Sequence, residues 1–347
     1  RDGDVYAKFN YNLYKDRSDE ISDELAKVMK KIKGVKRLHG SRDYYQVREK
    51  GFLFEIIPIL DIKKAEQAVN ITDISPLHTR WVRKNKKFRD DILLAKAFCR
   101  SSQVYGAESF IQGFSGYVIE ILTVYYKGFV GFIKGVSKWQ DKVVIDPAKH
   151  HKNVLIEVNK SKLISPLVLI DPVQKGRNAS AALGEEKFND LIKRCKAFIK
   201  KPSVSYFKEK EFDLDKIGGK NVVIVKAKAL AGKQDVVGSK LLKVFEFIER
   251  KIDAFKIKKK GWHWDKEVVF WFSLGRIKLD GVEVKAGPPL KIKEHAEKFK
   301  RQYKNTFVKG GRIYARVNRK KVDVGYFLKE ALKEKYVTQK VGKIWVN

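Results

Sequence analysis

The stretch Gly51-Phe-Leu-Phe-Glu-Ile-Ile-Pro-Ile-Leu60 contains a single charged residue, Glu55. Such an apolar run predicts a strand over Phe52–Leu60 that is at least partly buried. An ionised carboxylate in a buried strand is costly unless a cation or hydrogen bonds offset the loss of water. The alternative is an edge strand on which Glu55 faces solvent, a position that tolerates the nearby Pro58. The residues alone leave both interpretations open.

The segments around this strand predict a mixed α/β arrangement up to about residue 72. Asp4–Phe9 and Tyr44–Val47 are predicted strands, and the turn Glu49-Lys-Gly51 joins the second to Phe52–Leu60. Residues 18–32 carry apolar side chains at helical spacing and predict a helix.

Beyond residue 75 the pattern is mostly helical to about Lys201, and strands then alternate with helices. The predicted elements are a helix that starts near Ile92, an apolar helix over Val118–Phe132, a helix over Phe188–Ile199, a strand over Asn221–Ala227, a helix over Val237–Phe255, a strand over Val268–Leu274 and a helix near residues 293–304.

The charge of the chain points to a polyanionic partner. Lys and Arg number 75 and Asp and Glu 41 in 347 residues, which gives a formal net charge of +34. This excess favours nucleic acid or an anionic membrane surface over a small neutral substrate. The length predicts two or three domains. With 44% hydrophobic residues and eight prolines, the chain is not a disordered basic tail.

Cysteine content and hydropathy bear on the compartment. The two cysteines, Cys99 and Cys195, favour a reducing compartment and argue against a disulfide framework or a cysteine-rich zinc module. No apolar run reaches the roughly 18 residues that span a bilayer. We therefore expect a cytoplasmic protein with no membrane partner. A homodimer is compatible with the sequence.

Three carboxylates form a candidate metal site. Asp2 and Asp4 lie two residues apart on a predicted strand, so their side chains share a face. Two such groups can hold a divalent cation together. With a third carboxylate, Glu55, on a neighbouring strand, they provide the set that two-metal nucleotidyl transfer requires. By itself, an Asp-x-Asp pair is also common in turns and caps.

Three stretches, in order along the chain, resemble motifs of the archaeal, class I CCA-adding enzymes, which are tRNA nucleotidyltransferases of the DNA polymerase β superfamily. They are Asp73-Ile-Ser-Pro-Leu-His-Thr-Arg-Trp-Val82, similar to D-R-T-P-x-H-T-x-W-V; Val104-Tyr-Gly-Ala-Glu108 with Gly113-Phe-Ser-Gly-Tyr117, similar to V-Y-G-A-E…G-F-S-G-Y; and Asp171-Pro-Val173 with Arg177-Asn178 and Ala181-Ala182, similar to D-P-V…R-N-x-A-A.

The resemblance implies a role for each matching residue. Asp2, Asp4 and Glu55 fall on the family's three catalytic, metal-binding carboxylates, which implies Mg²⁺ as cofactor. The third of these is more often Asp in the family. The residues that fall on positions holding the incoming triphosphate and sugar are Ser75, His78, Lys96 and Tyr105. Arg177 falls on the arginine that helps to select C or A.

The chain departs from the family pattern at two positions and at its start. Ile74 replaces the Arg of D-R-T-P, which we expect to remove a donor near the triphosphate, and Ser75 replaces the Thr but keeps the hydroxyl. The family's palm begins with a helix that carries a Gly-Ser motif, a dozen or so residues before the position of Asp2. Because the sequence begins at Arg1, we expect an N-terminally truncated chain, and whether it is active by itself is left open.

The resemblance implies an α+β fold in three parts. These are a partial polymerase-β-like palm (1–74), a helical central domain that selects the nucleotide (75–200), and an RRM-like or ferredoxin-like body with a tRNA-binding C-terminal tail (201–347). The implied reaction adds C, C and A to the 3′ end of tRNA from CTP and ATP without a nucleic-acid template. The implied partner is the acceptor arm and 3′ end of tRNA.

Three other functions compete with this interpretation. A non-catalytic tRNA- or RNA-binding module would use the three carboxylates structurally and would not need a metal to bind nucleotide. A poly(A)-type polymerase of the same superfamily would keep the chemistry, but the second and third motifs argue against it. Binding to a membrane surface is the weakest, because no segment combines a strongly apolar face with a basic one.

Overall fold

The structure is a computed structural model that describes residues 2–209 and 211–346, with the side chain of Asp2 outside the described part. Residues 2–209 form one unit and residues 211–346 another. The first unit begins with a four-stranded sheet in the order β1-β4-β3-β2, in which β1 runs parallel to β4 and the other neighbours are antiparallel. Its elements are β1 (Asp2–Phe9), α1 (Tyr11–Tyr14), α2 (Ile21–Met29), β2 (Lys36–Leu38), β3 (Tyr44–Glu49) and β4 (Phe52–Leu60).

Helix α2 covers one face of this sheet. Its buried residues Ile21, Leu25 and Met29 recur every four positions and so form one apolar stripe. Leu25 and Met29 form a core cluster with Tyr45 of β3, against which Phe9 of β1 also packs. Because side chains alternate along a strand, the positions of β1 and β4 that do not meet α2 lie on the opposite face. These positions include Asp4 and Glu55.

The rest of the first unit is mainly helical, as expected, and is built around a large core that contains Phe98, Phe132 and Phe188. A short parallel pair of strands, which sequence periodicity did not indicate, lies within it. The elements are α3 (Ser75–Lys84), α4 (Arg89–Ser101), α5 (Gly116–Tyr125), α6 (Phe129–Val136), β5 (Val143–Ile145), α7 (Val154–Glu157), β6 (Leu167–Leu169) and α8 (Glu185–Lys200).

The expectation of a single helix over Val118–Phe132 is wrong. Helices α5 and α6 are separate and bent by 96°. Lys127 and Gly128 both have positive φ values, 58° and 114°, which end the helical conformation. The backbone N–H of Phe129 then donates to Asp91 Oδ1 at 2.8 Å, so a carboxylate caps the new helix. Both helices are apolar because they pack into the same core, a pattern that cannot reveal the break.

In the second unit, helices pack on one face of a four-stranded antiparallel sheet. The strand order β13-β7-β9-β8, with a helix after β7 and another before β13, is the ferredoxin-like β-α-β-β-α-β arrangement that the sequence led us to expect. The elements of this body are β7 (Val222–Ala227), α9 (Gln234–Ile252), β8 (Ile257–Trp264), β9 (Val268–Leu274), α11 (Val324–Lys333), α12 (Lys335–Thr338) and β13 (Ile344–Val346).

A smaller sheet in the order β10-β12-β11 is inserted between β9 and α11. It consists of β10 (Val282–Pro289), α10 (Lys293–Gln302), β11 (Thr306–Lys309) and β12 (Arg312–Asn318). The chain then returns to the body, where β13 pairs with β7 as an edge strand.

Among the described residues, no single helix has the length and apolar character needed to cross a membrane. The bent pair α5 and α6 passes that test together, on length and composition only.

Candidate active site

Two of the three predicted carboxylates are neighbours on the open face of the first sheet. Asp4 of β1 is the register partner of Glu55 of β4 in a parallel pair, and paired residues project to the same face. The backbone of Asp2 lies two positions before Asp4 and pairs with Leu53, but its side chain is outside the described part of the structure. Carboxylate oxygens on adjacent strands suit a hard divalent cation. Among the described residues, no group of three or more His, Cys, Asp and Glu forms a metal site.

Glu55 does not lie on an edge strand, so that alternative is wrong. Strand β4 lies between β1 and β3. Opposite Glu55 on β3, Gln46 donates from Nε2 to Glu55 Oε1 at 2.7 Å, and the carboxylate is only partly buried. The β3 pairing ends at Ile56, which leaves Pro58 beyond that ladder. One oxygen of Glu55 is therefore oriented by a neighbour, on the face that also carries Asp4.

Asp73, the first residue of the motif that precedes α3, is a buried anchor. It is 1% exposed and forms an ion pair with the buried Arg42. Asp73 Oδ1 accepts the backbone N–H of Leu60 at 2.9 Å, and Oδ2 accepts that of Asn70 at 2.9 Å. These bonds join the end of β4 to the start of α3 and so fix this helix beside the carboxylates.

Helix α3 lies alongside the first residues of β1. Burial and the charge of Asp4 raise the pKa of Tyr6, and a hydrogen bond from Ser75 opposes that shift. The predicted residues Ser75 and His78 line a cavity of about 310 Å³, together with Tyr6 and Tyr117. An adjoining cavity of about 470 Å³ contains Asp4. The first sheet and α3 thus bring the predicted phosphate-binding side chains close to a predicted metal ligand.

Asp171 is the buried centre of a group of side chains that we call the Asp171 cluster: Asp171, His78, Tyr117 and Arg177. Asp171 Oδ2 lies 2.9 Å from His78 Nε2 and 2.7 Å from a terminal nitrogen of Arg177. Asp171 Oδ1 accepts the hydroxyl of Tyr117 at 3.2 Å and the backbone N–H of Val173 at 2.9 Å. The His78 and Tyr117 rings stack with centroids 4.2 Å apart. A single carboxylate therefore lies in contact with two predicted nucleotide-binding residues, His78 and Arg177.

The charge of Asp171 is maintained by its neighbours. Its side chain has no solvent exposure, and burial alone would raise its pKa. Hydrogen bonding and charge from His78, the backbone N–H of Val173 and the guanidinium of Arg177 outweigh burial and lower the pKa to about 2. Burial and the charge of Asp171 raise the pKa of the Tyr117 hydroxyl, which remains a proton donor.

Lys96 and Tyr105 do not line the cavity that contains His78, but Lys96 is connected to it through Glu120. Lys96 Nζ donates to Glu120 Oε1 at 2.6 Å, and Glu120 lines the cavity with His78. A Cβ at Gly116 would lie 2.9 Å from the Tyr105 hydroxyl and 3.6 Å from Lys96 Nζ, which places Tyr105 and Lys96 next to the start of α5. Lys96 thus has a carboxylate partner already, a neutralising contact that the sequence did not reveal.

The structure therefore brings together most of the predicted site. Asp4 and Glu55 share one sheet face, while Ser75, His78 and Arg177 meet through α3 and the Asp171 cluster. The sequence reasoning missed the residues that connect these groups. They are Tyr6, Thr79, Arg80 and Arg83 at the cavities, and Asp171, Tyr117 and Glu120 as partners of predicted residues.

Ile74 does not line either of the two cavities. It is 1% exposed and packs in a core cluster with Ile21, Leu60 and Leu77. The departure at this position is thus accommodated by apolar packing.

Known proteins with similar sequences decide the family. The CCA-adding enzyme of Nanoarchaeum equitans is 31% identical to this chain over 332 residues, which cover 92% of this chain and 80% of that protein. The chain belongs to the CCA-adding enzyme family. The CCA-adding enzyme of Methanosarcina acetivorans is 29% identical and covers 92% of this chain and 73% of that protein. The CCA-adding enzyme of Methanocaldococcus jannaschii is 25% identical to this chain, and the matched region covers 99% of this chain and 81% of that protein.

Two family models match separate parts of the chain. Residues 90–208 match the second domain of tRNA nucleotidyltransferases, and residues 219–344 match the C-terminal domain of CCA-adding enzymes. The first match contains Lys96, Tyr105 and the third motif, and the second spans the ferredoxin-like body. The family that the three motifs predicted is therefore confirmed, and with it the assignment of the chain as a nucleotidyltransferase.

Proposed function

We propose that this CCA-adding enzyme family member adds C, C and A to the 3′ end of tRNA from CTP and ATP, releasing pyrophosphate and using no nucleic-acid template. The observation that carries the proposal is the placement of Asp4 and Glu55 as register partners beside the helix that carries Ser75 and His78. Carboxylates that attract cations and donors that suit phosphate oxygens thus meet at one site.

Within the site, each predicted residue has a distinct task. Ser75 and His78 bind the triphosphate of the incoming nucleotide, and Tyr105 and Lys96 contribute from next to the start of α5. Arg177 uses one guanidinium nitrogen to bond Asp171, which leaves the rest of its fork to contact the base. Its side chain is 33% exposed, so a nucleotide can reach it.

The donor set fits Mg²⁺, which binds through one or two carboxylates together with substrate phosphates. Asp4 and Glu55, with Asp2 at the next same-face position of β1, are the residues that would hold it. When bound, the metal lowers the pKa of the attacking hydroxyl and neutralises charge on the triphosphate. The protein itself contributes the spacing of the carboxylates and the orientation of Glu55 by Gln46.

The charge of +34 supports tRNA as the partner. Affinity for RNA then comes largely from Lys and Arg on phosphates and falls as salt rises. Backbone contacts suit an enzyme that accepts every tRNA, since A-form helices offer phosphates and 2′-hydroxyls more readily than base edges. The acceptor arm as the bound region, a cytoplasmic location and a homodimer belong to the same proposal.

The direct test incubates the protein with tRNA that lacks its 3′ CCA, Mg²⁺ and labelled CTP plus ATP, and then sequences the 3′ ends. Ends that finish in CCA, and no further, are expected. Salt-sensitive tRNA binding without addition would instead identify a non-catalytic RNA-binding protein and overturn the proposal. Long A tails would identify a poly(A)-type polymerase.

A further inference from the structure

Arg83 connects the two cavities of the candidate site. It lies on α3, eight residues after Ser75 and four after Thr79, so the three side chains project from similar faces of the helix. Among the described residues, Tyr6, Thr79 and Arg83 line both the cavity that contains His78 and the cavity that contains Asp4. Arg83 is the only one of these three that carries a charge.

The guanidinium of Arg83 is available for a ligand. Within residues 2–209, neither Arg83 nor Arg80, which lines the cavity with Asp4, forms a salt bridge. Arg42 and Arg177, by contrast, are paired with the carboxylates of Asp73 and Asp171. A guanidinium has five N–H donors in a planar fork that matches two phosphate oxygens. An unpaired arginine between a predicted metal ligand and predicted phosphate donors therefore suits a polyphosphate.

The residue at position 74 bears on the role of Arg83 and Arg80. The motif that Asp73–Val82 resembles has an arginine there, and this chain has a buried isoleucine. The cation that the motif would provide before the helix is absent, while Arg83 and Arg80 lie on the exposed side of the same helix.

We propose that Arg83, assisted by Arg80, binds the β- and γ-phosphates of the incoming nucleoside triphosphate. This inference rests on the proposed function for the identity of the nucleotide. The recognised chemistry is a polyphosphate, which is also present in inorganic tripolyphosphate and differs from the single phosphodiesters of an RNA backbone. Arg83 is a substrate-binding residue, and it positions the triphosphate between Ser75 and Asp4.

The test measures dissociation constants by calorimetry, in Mg²⁺ and at elevated salt, for inorganic tripolyphosphate, CTP, CMP and tRNA that lacks CCA. The variants are Arg83→Ala, Arg83→Lys and the matched control Arg89→Ala, which removes the same charge from the exposed first residue of α4. Arg83→Ala is expected to weaken the binding of tripolyphosphate and of CTP about 10- to 100-fold, because a charge-assisted hydrogen bond is lost. CMP and tRNA binding should change less than about twofold.

The control separates a specific site from general charge. Arg89→Ala should leave all four dissociation constants nearly unchanged, and Arg83→Lys should recover only part of the CTP affinity because an ammonium lacks the planar fork. The proposal is overturned if wild-type protein does not bind tripolyphosphate, or if Arg83→Ala binds tripolyphosphate and CTP as wild type does. A loss of tRNA affinity alone would assign Arg83 to RNA phosphates and also overturn it.

The outcome is independent of CCA addition. Tripolyphosphate and CTP binding that depends on Arg83, in a protein that adds no nucleotide to tRNA, would support this inference while the proposed function fails. Addition of CCA at an unchanged Michaelis constant for CTP in Arg83→Ala would support the function and overturn the inference.

Discussion

The two halves of the candidate site differ in how far their carboxylates are buried. In the Asp171 cluster, both carboxylate oxygens have protein partners, and the side chain of Asp171 is fully buried. On the sheet face, Glu55 accepts a hydrogen bond from Gln46 and remains partly exposed, and Asp4 is exposed. The comparison is thus between a buried carboxylate and two that solvent can reach.

The proposed function accounts for this difference. A group that discriminates between bases gains from side chains that are rigid before the nucleotide arrives, because ordering them costs no free energy at that moment. Carboxylates that receive a metal ion and a triphosphate must instead remain accessible. Changes in the Asp171 cluster should therefore affect folding as well as nucleotide choice, and changes on the sheet face should affect catalysis alone.

The largest effect is expected for Glu55→Ala. Removing this carboxylate should reduce CCA addition at least about 1,000-fold, since a metal ligand stabilises the transition state by several kcal/mol. The free energy of unfolding and the affinity for tRNA should remain close to those of wild type. Rates of CTP incorporation, tRNA binding and urea unfolding measure the three quantities.

Two further variants control for charge and geometry at that position. Glu49→Ala removes an equally charged side chain from the exposed end of β3 and should retain full activity. Glu55→Asp introduces the residue more usual at the position it resembles and should remain active. A Glu55→Ala protein that still adds nucleotides would remove Glu55 from the site.

Asp171→Asn should act in the opposite way, mainly on stability. The amide keeps the shape but leaves Arg177 without a buried counter-charge, which is expected to lower the free energy of unfolding by about 3 kcal/mol. Urea unfolding measures the change. Asp190→Asn, on the exposed face of α8, should change it by less than about 0.5 kcal/mol. Equal stability of the two variants would show that the cluster is not a structural unit.

The sequence predicted well those parts of the site that depend on local patterns along the chain. Strands β1, β3 and β4 and helix α2 follow directly from period-two and helical apolar patterns around Glu55. Because a strand fixes which residues share a face, the proximity of Asp4 and Glu55 could be predicted from their positions on two strands. The family was identified from three motifs, each of which contains at least one residue of the Asp171 cluster.

What the sequence did not predict depends on contacts between distant residues. The role of Asp171 arises from neighbours 54 and 6 positions away, Tyr117 and Arg177, and no local pattern brings these together. The pairing of Lys96 with Glu120 joins two helices in the same way. Strand β8 was missed because its charged run, Lys258–Lys260, lies on an exposed stretch of the strand and hides the alternation.

The acid limit of stability provides a further test of the Asp171 cluster. The folded pKa of Asp171 is about 2, below its usual value of 3.8, so the folded chain binds this proton more weakly than the unfolded chain. The stability that results is fully present above about pH 5 and is lost as the pH falls through 4 towards 2, by about 2 kcal/mol in total. About half should be lost by pH 3.

The measurement compares wild type with Asp171→Asn, whose amide does not titrate. The difference between their free energies of unfolding should narrow by about 1 kcal/mol between pH 6 and pH 3. Because all other acidic groups are shared, their titration cancels in the difference. A gap that stays constant over this range would show that the carboxylate is not held ionised by His78 and Arg177.

The effect that bears most directly on the two halves is expected for Arg177→Ala. Arg177 is partly exposed and bonds Asp171 through one nitrogen, so its loss should affect the nucleotide more than the fold. We expect the ratio of kcat/KM for CTP to that for ATP to change about tenfold, the effect of one lost hydrogen bond to a base. The affinity of Arg177→Ala for tRNA should change less than about twofold. The control is Lys175→Ala, which removes the same charge from an exposed neighbouring residue and should also change the affinity for tRNA less than about twofold. If Arg177→Ala alters tRNA affinity and leaves the CTP-to-ATP ratio unchanged, Arg177 contacts RNA, and the Asp171 cluster positions the tRNA end instead of the nucleotide.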